Sequence, residues 1–172
     1  MTFKIIICGS REFDDYARLK NVCDDVVSEM RLKYQTPFLE LENIEVVSGN
    51  AKGADLLGEQ WAKSYGHWRD KKRYNMGLKI FPLLPSHWTD MDVRPDNEVF
   101  PKTRADGTVY NALAGSNRNL RMLDYALSDG DIAIVIAFYK GKSSGSKNMI
   151  KVCKKAGVEH FIWDDDKQKM RK

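Results

Sequence analysis

The sequence has little of what membrane proteins, disulfide-stabilised proteins and metalloproteins require. No apolar run approaches the roughly 18 residues of a membrane-spanning helix, and the run Ile5–Cys8 before Gly9 is too short for a signal peptide. Only three histidines and three cysteines occur, and none of them has metal-ligand spacing, so we expect no metal site. The cysteines are typical of reduced core thiols in a cytoplasmic protein; they are Cys8, Cys23 and Cys153.

The remaining composition is that of one mildly basic globular domain. Apolar residues make up 42% of the chain, charged residues 30%, and the net charge is +4. This charge suits an anionic partner, but no stripe of interleaved basic and aromatic residues occurs, which argues against nucleic acid. We expect a single domain over residues 1–172, with polar insertions near 67–77 and 89–115. A loop as long as the second insertion is typical of a functional lid or a disordered excursion.

Strand-like and helix-like segments alternate along the chain. The run Asp131–Phe138 lacks polar alternation, which is typical of a central strand covered on both faces. The alternation predicts an α/β fold: a Rossmann-like, doubly wound, mainly parallel sheet of about five strands with helices on both faces. Arg118 is expected to open the third helix and Ser146 to cap the fourth. The predicted strands lie near residues 3–8, 44–48, 78–82, 131–138 and 158–163.

Three turns rich in glycine and serine follow predicted strands. The carboxyl ends of parallel strands meet at one edge of such a sheet, where ligands bind. Glycine allows close approach of the backbone, and a helix N-terminus offers N–H groups to a phosphate. A single turn of this kind is explained by geometry alone, so the prediction of a phosphate-bearing ligand depends on all three. The candidate residues in the turns are Gly9, Ser10, Arg11, Ser48, Gly49, Lys52, Gly53, Ser143, Ser144, Gly145 and Ser146.

Two common nucleotide-binding motifs are absent. Gly141–Ser143 resembles the end of a Walker A loop, but Ile136 stands where that motif requires its first glycine. No G-x-G-x-x-G follows the first strand. The sequence therefore argues against a P-loop NTPase and an NAD-dependent dehydrogenase.

Further polar residues are placed near the same edge. Asn117, Arg118 and Asn119 would direct polar groups toward it, although Arg118 could instead pair with Asp124 or Asp129.

Two acidic residues occur in the second predicted helix. Asp55 and Glu59 stand four residues apart and so share a helix face. Asp55 could cap the helix, pair with Lys52 or Arg11, or accept from a ribose or base, and we favour capping and ion pairing. If the protein is an enzyme, Asp55 and Glu59 are the nearest candidate catalytic carboxylates.

A series of short motifs suggests a family. They are Gly9-Ser10-Arg11 with Phe13, Val47-Ser48-Gly49 with Gly53-Ala54-Asp55, Trp61-Ala62, Phe81-Pro82 with Trp88, Arg118-Asn119 with Met122, and Ser144-Gly145-Ser146 with Met149-Ile150. Together they resemble the SLOG superfamily, and within it the YspA/YpsA-related branch. The resemblance implies a Rossmann-like fold, a nucleotide or nucleotide-derived ligand at the turns, and a homodimer or higher homo-oligomer. Relatives include lonely-guy phosphoribohydrolases, the DNA-processing protein DprA and sensors of nucleotide-derived signals.

One departure from the lonely-guy pattern leaves the function open. Met149 stands where those enzymes carry the catalytic Glu of Pro-Gly-Gly-x-Gly-Thr-x-x-Glu, and a thioether cannot transfer protons. The leading hypothesis is a module that senses, carries or sequesters a nucleotide-derived phosphate ligand. The alternatives are a nucleotide N-glycosidase or phosphoribohydrolase that uses Asp55 or Glu59, and, with less support, a DprA-like nucleic-acid module. No cofactor beyond such a ligand is expected.

Overall fold

A computed structural model describes residues 2–34, 43–69 and 72–172 of the chain. The strands are β1 (Phe3–Gly9), β2 (Ile44–Ser48), β3 (Gly66–Arg69), β4 (Lys72–Asn75), β5 (Gly77–Ile80), β6 (Pro101–Thr103), β7 (Val109–Asn111), β8 (Ile132–Tyr139), β9 (Glu159–Asp164) and β10 (Lys169–Arg171). The helices are α1 (Tyr16–Lys33), α2 (Ala54–Ser64), α3 (Pro85–Thr89), α4 (Ala114–Leu127) and α5 (Ser144–Ala156).

The central sheet confirms the predicted α/β class. Its strand order is β10-β9-β8-β1-β2-β5, and the neighbouring strands from β9 to β5 pair in parallel. The sheet has one strand more than predicted, because residues Lys169–Arg171 form β10, which pairs antiparallel with β9. The chain order reverses direction between β1 and β8, so a topological switch point lies at their carboxyl ends.

Helices cover both faces of this sheet. Ile5 and Ile7 of β1 point to a core shared with α1 and α2, whereas Ile6 and Cys8 point to a core shared with α4 and α5. The side chains alternate because successive residues of a strand face opposite sides. Residues 133–138 of β8 are all buried, as their unbroken apolar run predicted.

Helix starts differ from prediction at two points. The last helix begins at Ser144 with Ser143 at the N-cap position, so Ser146 lies inside the first turn and does not cap it. The prediction placed the helix start too late, because the first helical hydrogen bond runs from Lys147 N–H to the Ser143 carbonyl at 3.2 Å. The helix α4 begins four residues before Arg118, which therefore lies in the second turn and not at the start.

The second insertion folds around a buried asparagine. The Asn111 Oδ1 accepts from the N–H groups of Phe100, at 3.1 Å, and Leu113, at 3.0 Å, while its Nδ2 donates to the Glu98 carbonyl at 2.9 Å. These bonds close the loop that carries the β6–β7 hairpin and lead directly into α4. The segment 89–115, for which the sequence predicted a functional lid or a disordered excursion, is thus held by polar side chains, which produce none of the apolar periodicity that sequence patterns detect.

The first insertion forms the β3–β4 hairpin. The side chains of residues 67–74 in this insertion lie outside those that the structure describes. In the described ranges, no helix is both long and apolar enough to cross a membrane.

A glycine in α2 sets the distance between that helix and the sheet. A Cβ placed on Gly58 would lie 2.7 Å from Ile7 Cγ2, whereas one on Gly115 of α4 would lie 4.0 Å from Leu83 Cδ1. We expect Gly58→Ala to lower the free energy of unfolding by about 1–3 kcal/mol through overpacking. The matched Gly115→Ala should raise it by up to about 1 kcal/mol, because alanine favours helix. Urea denaturation measures both, and equal effects would contradict this packing.

Candidate functional site

The turns after β1 and β8 meet through the buried Ser10. Its N–H donates to the Phe138 carbonyl at 2.8 Å, its Oγ accepts from Lys140 N–H at 3.0 Å, and its carbonyl accepts from Ala54 N–H at 3.3 Å. All three polar groups of Ser10 are thus used to join β1, β8 and α2. Ser10, which was predicted to contact a ligand, therefore holds these three elements together at the carboxyl edge of the sheet.

Two of the glycines that were predicted to contact a ligand allow the same elements, β1, β8 and α2, to pack closely. A Cβ on Gly9 would overlap the Phe138 carbonyl and lie 2.5 Å from Ala54 Cβ. Gly53 has a φ of +89°, which favours glycine, and a Cβ there would overlap the Ser10 carbonyl. These glycines allow one turn to pack on another.

Glu59 organises the turn after β2. It is 5% exposed, and its Oε1 accepts from Ser48 Oγ at 2.8 Å and from Asn50 Nδ2 at 2.9 Å. Its Oε2 lies 3.8 Å from the Lys63 ammonium. Asn50 has a φ of +56°, a conformation that asparagine tolerates. Glu59 and Ser48 therefore hold the shape of this turn.

Arg118 reaches the same turn from α4. Its Nη1 donates to the Gly49 carbonyl at 2.6 Å, while its Nε is buried and has no acceptor among the described residues. Burial lowers the pKa of this guanidinium, an effect that nearby Asp55 opposes. Arginine stays charged in proteins, so the structure holds a partly buried cation with an unused donor. Such a donor is costly unless a ligand or water accepts from it.

Asp55 packs against the same side of Gly49 as Arg118 does and is 4% exposed. Its Oδ2 accepts from Ala51 N–H at 3.4 Å. A Cβ on Gly49 would lie 2.7 Å from this oxygen and 2.5 Å from Arg118 Nη1, so both charged groups pack against that glycine. Burial raises the pKa of Asp55 to about 6, although Arg118 and the N–H groups of Ala51 and Gly49 lower it. Asp55 is neither a helix cap nor exposed to solvent.

The first turn of α5 is the open part of the edge. Gly145 is exposed, and a Cβ on it would meet no atom within 4 Å. Asn119 fixes this turn, because its Nδ2 donates to the Gly145 carbonyl at 3.1 Å and to Asn148 Oδ1 at 2.9 Å. The Oγ atoms of Ser143 and Ser146 lie 2.6 Å apart. N–H groups in a first helical turn have no partner within the helix, which makes this turn suitable for an anion.

Asn117 faces away from these groups. Its Nδ2 donates to Asn97 Oδ1 at 2.9 Å and to the Glu98 carbonyl at 2.8 Å. Three consecutive residues of α4 thus hold three different segments: Asn117 the second insertion, Arg118 the β2 turn, and Asn119 the α5 turn.

Positive charge surrounds this edge. The side chains of Arg11, Lys52 and Lys142 are exposed there. Arg121, which the sequence analysis missed, interacts electrostatically with Arg118, as does Arg11. Its position one helical turn after Arg118 was the available signal.

Other features do not add chemistry at this edge. Met149, at the position of the lonely-guy Glu, is 1% exposed and lies in the core. Among the described residues, no group of three or more His, Cys, Asp or Glu is placed to hold a metal ion. A cavity of about 520 Å³ lies at the opposite, amino edge of the sheet, lined in part by Tyr34, Ile132 and Gly157.

Comparison with known proteins finds a family model that matches the first part of the chain. Residues 3–68 match the family model described as YAcAr: YspA, cpYpsA-related SLOG family. The predicted resemblance to the SLOG superfamily and its YspA-related branch is therefore confirmed over these residues. The match includes the turns after β1 and β2, whereas Arg118 and the α5 turn lie beyond it. No curated protein and no solved structure gives a significant match to the chain.

The raised pKa of Asp55 predicts an unusual dependence of stability on pH. Between its ordinary pKa of 3.8 and its folded value of about 6, the native state keeps a proton that the unfolded state has lost. The stability that Asp55 contributes is therefore present near pH 4 and lost as the pH rises through 6. Relative to wild type, Asp55→Asn should gain about 1–3 kcal/mol of unfolding free energy between pH 4 and 7.5.

Urea denaturation across this pH range measures that gain. The control is Asp106→Asn, because hydrogen bonds from Thr108 lower the pKa of the exposed Asp106. This control should show no gain as the pH rises. A flat difference between Asp55→Asn and wild type would contradict the burial of an ionisable Asp55.

Proposed function

We propose that this chain, whose residues 3–68 match the YspA-related SLOG family, binds a nucleotide or nucleotide-derived ligand through its phosphate at the carboxyl edge of the sheet. Its role would be to sense, carry or sequester that ligand. The single observation that carries the proposal is Arg118, a partly buried guanidinium held at the β2 turn with its Nε lacking an acceptor among the described residues.

Two neighbouring features support a phosphate as the acceptor. The open first turn of α5 offers N–H groups and the positive end of a helix dipole. Asn119, the residue after Arg118, holds this turn by donating to the Gly145 carbonyl. Exposed Arg11, Lys52 and Lys142 raise the positive potential around the same edge. A phosphate there would receive charge-assisted hydrogen bonds from a guanidinium and dipolar N–H groups together.

The acidic residues favour binding over catalysis. Glu59 is buried and engaged with Ser48 and Asn50, and Asp55 is buried against Gly49. Both carboxyl groups are therefore covered by the turn. The core position of Met149 leaves no proton donor where the lonely-guy enzymes have their Glu.

One observation keeps an N-glycosidase as a second candidate. A carboxyl with a pKa of about 6, as at Asp55, is partly protonated near neutral pH and suits general acid catalysis if the turn opens. Release of free base from nucleoside monophosphates, lost in Asp55→Asn, would favour this candidate. A rate in Asp55→Asn equal to wild type would exclude Asp55 as the acid.

Calorimetric titration tests the binding function. We expect at least one member of a panel of mono-, di- and cyclic nucleotides and ADP-ribose derivatives to bind. Arg118→Gln should then raise the dissociation constant of that ligand about 10- to 100-fold, because a charge-assisted hydrogen bond is lost.

The control variant is Arg104→Gln. Arg104 is exposed on the β6–β7 hairpin, with its guanidinium 4.5 Å from the centre of the Tyr110 ring. This change should leave the affinity within about twofold of wild type. Absence of binding to every ligand by the folded protein, or equal losses in both variants, would refute the proposal.

A further inference from the structure

We propose that the Asp55 carboxylate is an internal anion that occupies part of the phosphate site, so that external anions bind tightly only when its charge is neutralised. This inference rests on the proposed function and concerns the same edge of the sheet. It makes Asp55 a residue that sets the affinity of the site without contacting the ligand.

The contacts of Asp55 resemble those that a bound phosphate would make. In turns between a strand and a helix, backbone N–H groups and a nearby cation commonly hold the phosphate. Here the Ala51 N–H donates to Asp55 Oδ2 at 3.4 Å. The same oxygen and Arg118 Nη1 both pack against Gly49, at 2.7 Å and 2.5 Å from where its Cβ would stand. The carboxylate therefore lies where it weakens the field of the guanidinium.

The charged and titratable groups around Asp55 come from three elements. Arg118 of α4 is the neighbouring cation, and it favours the ionised carboxylate. Glu59, one turn later on α2, disfavours it. Cys8 of β1 is a buried thiol whose pKa is raised well above its ordinary value by desolvation, with a further contribution from Asp55, so it stays neutral. Protonation of Asp55 consequently leaves the positive charge of Arg118 without its nearest compensating partner.

The balance of these effects lies within an accessible pH range. Burial raises the pKa of Asp55 to about 6. An anion at the site would repel the ionised carboxylate and favour its protonated form, so anion binding and proton binding reinforce each other. Anion affinity should therefore rise as the pH falls through about 6.

Inorganic sulfate is the probe for this effect, because its charge does not change between pH 5 and 8 and that of phosphate does. We expect the sulfate affinity of wild type to be about 10- to 100-fold higher at pH 5 than at pH 8. Asp55→Asn should bind sulfate at pH 8 as tightly as wild type does at pH 5. Any pH dependence that this variant retains measures the general charge of the chain. Asp106→Asn, distant on the hairpin, should behave as wild type.

A second measurement, made on wild type alone, tests the inference even if Asp55→Asn does not fold. The Ala51 amide resonance should titrate with Asp55, and saturating sulfate should raise its midpoint by about one pH unit or more, by reciprocity with the affinity change. An unmoved midpoint, or an Asp55→Asn protein that binds sulfate no more tightly than wild type at pH 8, would overturn the inference. If nucleotides still bind in that case, the proposed function stands. Absence of both sulfate and nucleotide binding in wild type and Asp55→Asn would overturn the two together.

Discussion

The hydrogen bond from the Arg118 guanidinium to the Gly49 carbonyl is the interaction on which the proposed site depends. It joins α4, on one face of the sheet, to the turn that starts α2 on the other face. Asn117 and Asn119, on either side of Arg118, hold the second insertion and the α5 turn. A short polar segment of one helix thus holds the β2 turn, the second insertion and the α5 turn. Displacement of this segment would disturb all of them at once.

The architecture, and the sheet edge that carries the candidate site, were predictable because both follow from local patterns. The apolar run of β8 identified a central strand, and the alternation of strands and helices predicted a doubly wound sheet. Since parallel strands end at one edge, the sequence alone predicts that the turns at Gly9, Gly49 and Gly145 lie together. The role of Arg118 was inferred from resemblance, and its contact with Gly49 spans 69 positions of sequence.

The parts that sequence could not predict depend on contacts between distant residues. Gly9 and Ser10 look like ligand contacts in sequence, and the approach of β8 and α2 gives them packing contacts that no sequence pattern shows. The second insertion folds around the buried amide of Asn111, which produces no periodic pattern. Asp55 was expected to cap or pair, yet burial beside Gly49 changes both its proton affinity and its effect on a bound anion. In each case the residue type was evident and its surroundings were not.

The proposed ligand lies at one edge of the molecule, so the most direct measurement is to locate bound ligand residue by residue. In a titration of ¹⁵N-labelled protein with a nucleoside diphosphate, we expect the largest amide shifts at Ser144, Gly145 and Ser146, together with a shift of the Arg118 Nε–H resonance. The rival location is the amino edge, where a cavity of about 520 Å³ lies beside Tyr34 and Gly157. Shifts confined to that edge, with the α5 turn and Arg118 unchanged, would contradict ligand binding at the carboxyl edge.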